Sequence, residues 1–203
     1  MQKTEMYIVR HGETVWNAAR RFQGALDSPL TNKGFQQANA LAKRLRPISF
    51  SAIYASDLGR AFETAQIISG GNGYEVMLDK ELRERNYGIF EGLNKDEVLA
   101  KYPEEFRKLK SHRPDYKIPH GESSVEFAQR VMNCVNTLVK KQLNRRFLVV
   151  THGGFINRLL RMILEIPLTT PPRFDVENTS LNIFSYHNQE WNLETWGVTC
   201  HLR

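Results

Sequence analysis

The chain has 203 residues, 41% hydrophobic and 25% charged, which is enough to bury a sizeable core without disulfides or metals and excludes a disordered, fibrous or low-complexity protein. Its 28 Lys and Arg against 22 Asp and Glu leave a formal charge of +6. Such an excess fits nucleic acid, anionic membranes or small phosphorylated ligands and does not choose among them, but the basic residues are scattered apart from pairs such as Arg20-Arg21, Lys140-Lys141 and Arg145-Arg146, so no nucleic-acid stripe is expected.

Two cysteines, Cys134 and Cys200, do not make a secreted disulfide framework, and the N-terminus runs almost directly into Met6 to Val9 without the apolar region of a signal peptide. No segment approaches the roughly 20 apolar residues that span a bilayer. A cytoplasmic protein without membrane association is expected.

Met6 to Val9 is a buried strand that ends at once in Arg10-His11-Gly12. After a turn at Thr31 to Gly34, Ala38, Leu41, Ala42 and Leu45 recur at helical spacing from Phe35 to Leu45. Ala52 to Ala55 predicts a second strand, with Ser56-Asp57 as the N-cap of a helix whose face is Ala61, Ala65 and Ile68 and which Gly70, Gly71 and Gly73 stop. Glu75 to Leu78 predicts a third strand, Leu82 to Leu93 a long functional loop, and Lys95 to Lys101 and Pro103 to Lys110 helices.

Two prolines make Arg113 to Gly121 irregular. A longer helix follows, capped by Glu122 to Ser124, with Phe127, Val131, Val135, Leu138 and Val139 on its face. Phe147 to Val150 is the most apolar strand, and it too runs straight into a polar loop, Thr151-His152-Gly153. Phe155 to Leu164 is helical, and Ser180 to Tyr186 and Trp191 to Trp196 form a late pair of strands, the two tryptophans packing.

Strands alternating with helices predict one α/β domain over residues 1–203, a three-layer α/β/α sandwich with a mostly parallel central sheet. The active site of such a sheet lies beyond the carboxyl ends of its strands, which points to His11 and His152. Each sits in a His-Gly dipeptide where a ligand can approach the backbone closely, whereas His120-Gly121 lacks a preceding strand. Arg10 beside His11, and Arg60 just after the second strand, would be costly to bury without an anion, and a phosphate would offset that cost through charge-assisted bonds. The six histidines and two cysteines show no zinc-type spacing, and Gly70-Gly71-Asn72-Gly73 lacks the P-loop lysine, so no metal and no cofactor are expected.

The motifs Arg10-His11-Gly12-Glu13-Thr14 with Trp16-Asn17, Ser28-Pro29-Leu30-Thr31, Ser56-Asp57-Leu58 with Arg60, Leu82-Arg83-Glu84, Tyr87-Gly88, Gly121-Glu122-Ser123, Thr151-His152-Gly153 and Asn178 together resemble the histidine phosphatase superfamily, which includes the cofactor-dependent phosphoglycerate mutases. The resemblance implies a phosphoglycerate mutase-like fold and a catalytic set of His11 as nucleophile, Glu84 as acid and a protonated His152. It also implies a phosphate pocket of Arg10, Asn17, Arg60 and Gly153. Gln23, Gly24, Tyr87, Lys95 and Arg113 are assigned to substrate. Neutral imidazole is a competent nucleophile near neutral pH, and fixed guanidiniums can stabilise charge on the equatorial oxygens without a metal.

The implied activity is a metal-independent histidine acid-type phosphatase that hydrolyses small phosphorylated metabolites through a phosphohistidine. The alternative is a cofactor-dependent phosphoglycerate mutase, since Glu84 to Gly88 and Gly92 to Lys95 look like the mutase loop and Tyr87 and Lys95 match substrate-holding positions there. Mutases carry a longer insertion with an adjacent arginine pair, where Lys110-Ser111-His112-Arg113 offers one arginine. A non-catalytic phospholigand-binding protein is a third reading, disfavoured by His11, Glu84 and His152 occurring together. A homodimer stays open.

Overall fold

A computed structural model describes residues 3–70, 74–171 and 173–203. In chain order it contains β1 (Thr4–Arg10), α1 (Val15–Ala18), α2 (Asn32–Leu45), β2 (Ile53–Ala55), α3 (Gly59–Ser69) and β3 (Val76–Leu78). There follow α4 (Lys95–Lys101), α5 (Pro103–Lys110), α6 (Ser124–Lys141), β4 (Arg146–Thr151), α7 (Gly153–Ile163), β5 (Leu181–His187) and β6 (Glu190–Val198).

The six strands form one sheet in the order β3-β2-β4-β1-β5-β6. β3, β2, β4 and β1 run parallel, while β5 and β6 are antiparallel additions beside β1. Alternation along β1 sends Met6 and Ile8 to one face, where they pack with Phe127, Val131 and Val135 of α6 and Phe155 and Leu159 of α7. Tyr7 and Val9 point to the other face, against Leu41 and Leu45 of α2 and Ala61, Ala65 and Ile68 of α3. This is the expected three-layer sandwich. Phe147, Leu148, Val149 and Val150 are all fully buried because β4 is covered on both faces, and each such side chain contributes about 1.5–3 kcal/mol of burial.

A third apolar cluster, Phe90, Val98, Phe106 and Ile118 with Phe22 and Tyr87 against it, lies apart from the two cores. It joins the 3₁₀ turn at Gly88–Phe90 to α4, α5 and the irregular segment that follows.

Most predicted elements stand close to their expected bounds. α2 starts at Asn32 because Thr31 caps it, its hydroxyl accepting from the Gly34 N–H at 3.0 Å. Ser123 and Glu126 form the capping box of α6. Ser56-Asp57 is not the cap of α3, which starts at Gly59 after Leu58 without a side-chain cap, because both side chains have tertiary partners: His152 for Ser56 and Arg83 for Asp57. Gly70 is the C-cap of α3, while Gly71 and Gly73 lie outside the described residues. Trp191 and Trp196 pack against the first core, as expected. Among the described residues no helix is long and apolar enough to cross a membrane.

Candidate active site

β1 and β4 are parallel neighbours with Arg10 opposite Thr151, so the two chains leave the sheet at the same level and deliver His11 and His152 side by side. From that point α2 and α7 depart to opposite faces of the sheet, which makes it a topological switch point. The two imidazole centroids are 5.2 Å apart, with planes inclined by 61°.

His11 is 3% exposed, and its Nδ1 lies 2.7 Å from the Gly12 carbonyl. A carbonyl only accepts, so Nδ1 carries the proton and Nε2 keeps its lone pair. Burial first, then the charges of Arg10 and Arg60, hold the His11 pKa well below the ordinary value, so the ring is neutral. The loop itself is clamped. The Gly12 N–H donates to Thr64 Oγ1 at 3.0 Å, and a Cβ on Gly12 would come 2.6 Å from the Gly34 carbonyl oxygen, so glycine is needed for the close backbone approach. Asn178 Nδ2 donates to the His11 carbonyl at 2.9 Å and to Asn17 Oδ1 at 3.2 Å.

Arg60 is 1% exposed and spends most of its donors on the protein. Nε donates to His152 Nδ1 at 3.2 Å, Nη1 to the Leu26 carbonyl and Asp27 Oδ1, and Nη2 to the Gly24 carbonyl. A guanidinium has five N–H donors, so one on Nη2 remains for a ligand. This arrangement corrects the expectation of a protonated His152. With Nδ1 accepting from Arg60, the ring proton belongs on Nε2, 2.9 Å from Ser56 Oγ. Burial first, then Arg60, His11 and Arg10, push the His152 pKa well below its ordinary value. His152 therefore positions the Arg60 guanidinium as a neutral acceptor.

Arg10 donates from Nη1 to the Val176 carbonyl at 2.6 Å, while its Nε is buried without a partner. A Cβ on Gly153 would lie 3.3 Å from that Nε, so the bare backbone leaves the space around it open. Glu84 faces the start of α7: Oε2 accepts from the Gly154 N–H and Oε1 from the Arg85 N–H, each at 2.8 Å. The positive end of the α7 dipole is aimed at the same place.

Above these groups opens a cleft of about 980 Å³ whose wall includes Arg10, Glu84, Tyr87, Lys95, Arg113 and Gly153. His11, Asn17, Gln23, Gly24, Arg60 and His152 do not line it. Gln23 is buried with its Oε1 unpartnered, and Gly24, at a positive φ of 57°, holds Arg60 through its carbonyl. Arg113 pairs with Asp115 at 2.8 Å on the exposed rim, a solvent-screened contact that holds it weakly. Burial, aided by the Glu84 charge, raises the Tyr87 hydroxyl to about 12, so it stays a neutral donor. His120 is exposed in its loop, in keeping with its lack of a preceding strand.

Sequence reasoning missed Arg85, Arg158 and Arg161 in this cleft, and left Asn178 and Gly154 without a role. Asn178 had a signal in its motif match. The arginines had none, since their burial follows from tertiary packing alone. Among the described residues no three His, Cys, Asp or Glu side chains gather as metal ligands would.

Two expectations follow. A Cβ at Gly154 would meet Glu84 Oε1 at 2.2 Å, so Gly154→Ala should displace that carboxylate and lower kcat about 100-fold, with little change in melting temperature. A loss of stability matching the loss of activity would contradict this. Second, His11 and His152 have depressed pKa values in the fold and an ordinary one of about 6.5 once unfolded, so unfolding takes up protons below that pH. Stability should be flat above pH 7 and fall as pH drops from about 6.5 to 5, by roughly 1.4 kcal/mol per pH unit for each proton taken up. His201, also lowered by burial, adds to the slope. Urea midpoints should show the decline, and it should be shallower in His11→Ala.

Residues 6–199 match the histidine phosphatase superfamily (branch 1). A protein of Erwinia tasmaniensis named "Probable phosphoglycerate mutase GpmB" is 38% identical over 194 residues, covering 96% of this chain and 90% of that one. Among solved structures, Bacillus stearothermophilus YhfR is similar with a TM-score of 0.91 and 36% identity, covering 98% of this chain and all of that one (100%). Phosphoserine phosphatase from Entamoeba histolytica, solved in complex with 3-phosphoglyceric acid, is similar with a TM-score of 0.88 and 30% identity, covering 98% of this chain and 100% of that one.

Proposed function

The chain belongs to the histidine phosphatase superfamily, and from that premise we propose that it is a phosphomonoesterase acting on small phosphorylated metabolites through a phosphohistidine at His11. The observation that carries the reading is the His11 tautomer: a neutral ring with Nδ1 tied to the Gly12 carbonyl, beside an unpartnered Arg10 Nε.

In the first step His11 Nε2 attacks phosphorus, the N–P bond forms and the ester P–O bond breaks. Its electron pair leaves on the alkoxide oxygen, which takes a proton from Glu84. Arg10, the remaining Arg60 N–H and the α7 N-terminus stabilise charge on the equatorial oxygens. Asn17, fixed by Asn178, lies next to this group with its own amide N–H available. In the second step water attacks the phosphohistidine and gives its proton to Glu84, and the N–P electron pair returns to Nε2. Each Glu84 oxygen accepts one backbone N–H and keeps a second lone-pair position for these transfers.

The reading favours hydrolysis over isomerisation because a mutase must hold a bisphosphorylated intermediate away from water. Here the segment after α5 is short, it offers one arginine, Arg113, and that side chain is exposed to solvent. The test is phosphate release set against conversion of 3-phosphoglycerate to 2-phosphoglycerate with 2,3-bisphosphoglycerate present, all in excess EDTA. Hydrolysis should dominate and persist in the chelator. Rapid isomerisation with negligible phosphate release would establish a mutase, and loss of activity restored only by a divalent cation would overturn metal independence.

A further inference from the structure

α7 starts at the candidate phosphate site and then runs along the cleft. Gly154, Arg158 and Arg161 are spaced i, i+4 and i+7, so they share one face of the helix. Gly154 grips Glu84, and Arg158 follows about 6 Å further along the axis, with side chains leaning back toward the helix N-terminus. Arg158 thus borders the same cleft as Glu84, further along the helix from the candidate phosphate site. Both Arg158 and Arg161 line the cleft, yet they are only 9% and 5% exposed.

Among the described residues neither arginine has a carboxylate within ion-pair distance, and neither has Arg85, which lies beside Arg158. Ser124 Oγ accepts from Arg158 Nη2 at 3.3 Å and from Arg85 Nη1 at 3.4 Å, which ties the two guanidiniums together. Arg85 otherwise donates to the Glu122 carbonyl, and Arg161 donates from Nη2 to the carbonyls of Pro167 and Thr170 while its Nε is buried without a partner. Arg158 has its Nη1 buried with no partner, and its other face rests 5.8 Å above the Phe127 ring. Burial first, then the repulsion of Arg161 and Arg85, lowers its pKa to about 10. A desolvated cation held against two others, with an N–H left over, is costly unless an anion meets it.

We infer that Arg158, supported by Arg85, Ser124 and Arg161, is a second anion subsite that selects phosphomonoesters bearing a further negative group a few bonds from the ester oxygen. The inference deepens the phosphatase reading and rests on it for the position of the reacting end. A carboxylate and a second phosphate share the required chemistry. Bidentate contact with the planar guanidinium favours either over a neutral hydroxyl.

The experiment compares 3-phosphoglycerate with glycerol 3-phosphate, which has the same skeleton and a hydroxymethyl in place of the carboxylate. Wild-type kcat/KM should favour 3-phosphoglycerate at least about tenfold. Arg158→Met should erase that ratio through KM, leave p-nitrophenyl phosphate within about threefold, and keep its melting temperature, while Arg158→Lys retains part of the preference. A wild-type ratio near one, or an equal loss on all three esters, would overturn the subsite. Dissociation constants for the same two metabolites in His11→Ala, with and without Arg158→Met, read the subsite without turnover, and equal affinities there would also overturn it. Wild-type protein that fails on p-nitrophenyl phosphate would defeat the phosphatase reading, while those affinities still decide the subsite. Comparing 2,3-bisphosphoglycerate with 3-phosphoglycerate shows whether phosphate or carboxylate is preferred.

Discussion

His11→Ala should lower kcat for any phosphomonoester by about 10⁵-fold or more, because it removes the atom to which phosphorus is transferred rather than one of several stabilising contacts. Stopping the wild-type reaction in alkali with labelled substrate should trap an acid-labile phosphoprotein, and the variant should trap none. Its affinity for inorganic phosphate should change much less, since Arg10 and the free Arg60 N–H remain. The variant should also fold, because among the described residues the ring of His11 makes one hydrogen bond, to its own neighbour Gly12. An active His11→Ala enzyme, or a wild-type label stable to acid and labile to base, would be incompatible with the proposed chemistry.

Glu84→Gln should reveal the two roles of that carboxyl separately. For an alkyl ester such as glycerol 3-phosphate, whose alkoxide departs poorly without a proton, the loss should reach about 10²- to 10⁴-fold. For p-nitrophenyl phosphate the first step should hardly change, since nitrophenolate leaves unaided, while water attack on the phosphohistidine slows. The result is a burst of one nitrophenolate per enzyme followed by a slow steady state. Equal slowing of the burst and of alkyl-ester turnover would remove Glu84 from the acid role. Glutamine also places an amide NH₂ against one of the two backbone donors, from Arg85 and Gly154, so Glu84→Asp is a useful companion variant.

Much of this centre is readable in the amino-acid sequence itself. The apolar blocks before Arg10 and Thr151 marked buried strands, and polar residues placed directly after such strands needed a reason that burial alone did not supply. What stayed illegible depended on partners distant in sequence. Ser56 and Asp57 have the chemistry of a helix cap, but His152 and Arg83 compete for them, and tertiary contacts prevailed over local propensity. The protonation state of His152 could not be read either, because it turns on which donor of Arg60 reaches Nδ1. Arg158 and Arg161 are spaced like ordinary solvated helix arginines, and only the docking of α7 against α6 and the cleft buries them. Arg113 was different: its partner Asp115 is two residues away, near enough for local reasoning to have found.

The sheet order has one more consequence. β1 and β4 occupy its middle, with two further strands on each side, so the amides leading to His11 and His152 should exchange with solvent only when the whole domain opens. Phe90, Val98, Phe106 and Ile118 belong to a separate cluster along the cleft, outside either main core. That margin can therefore loosen and reform in an opening unit of its own, admitting and releasing small molecules while the floor beneath keeps its register.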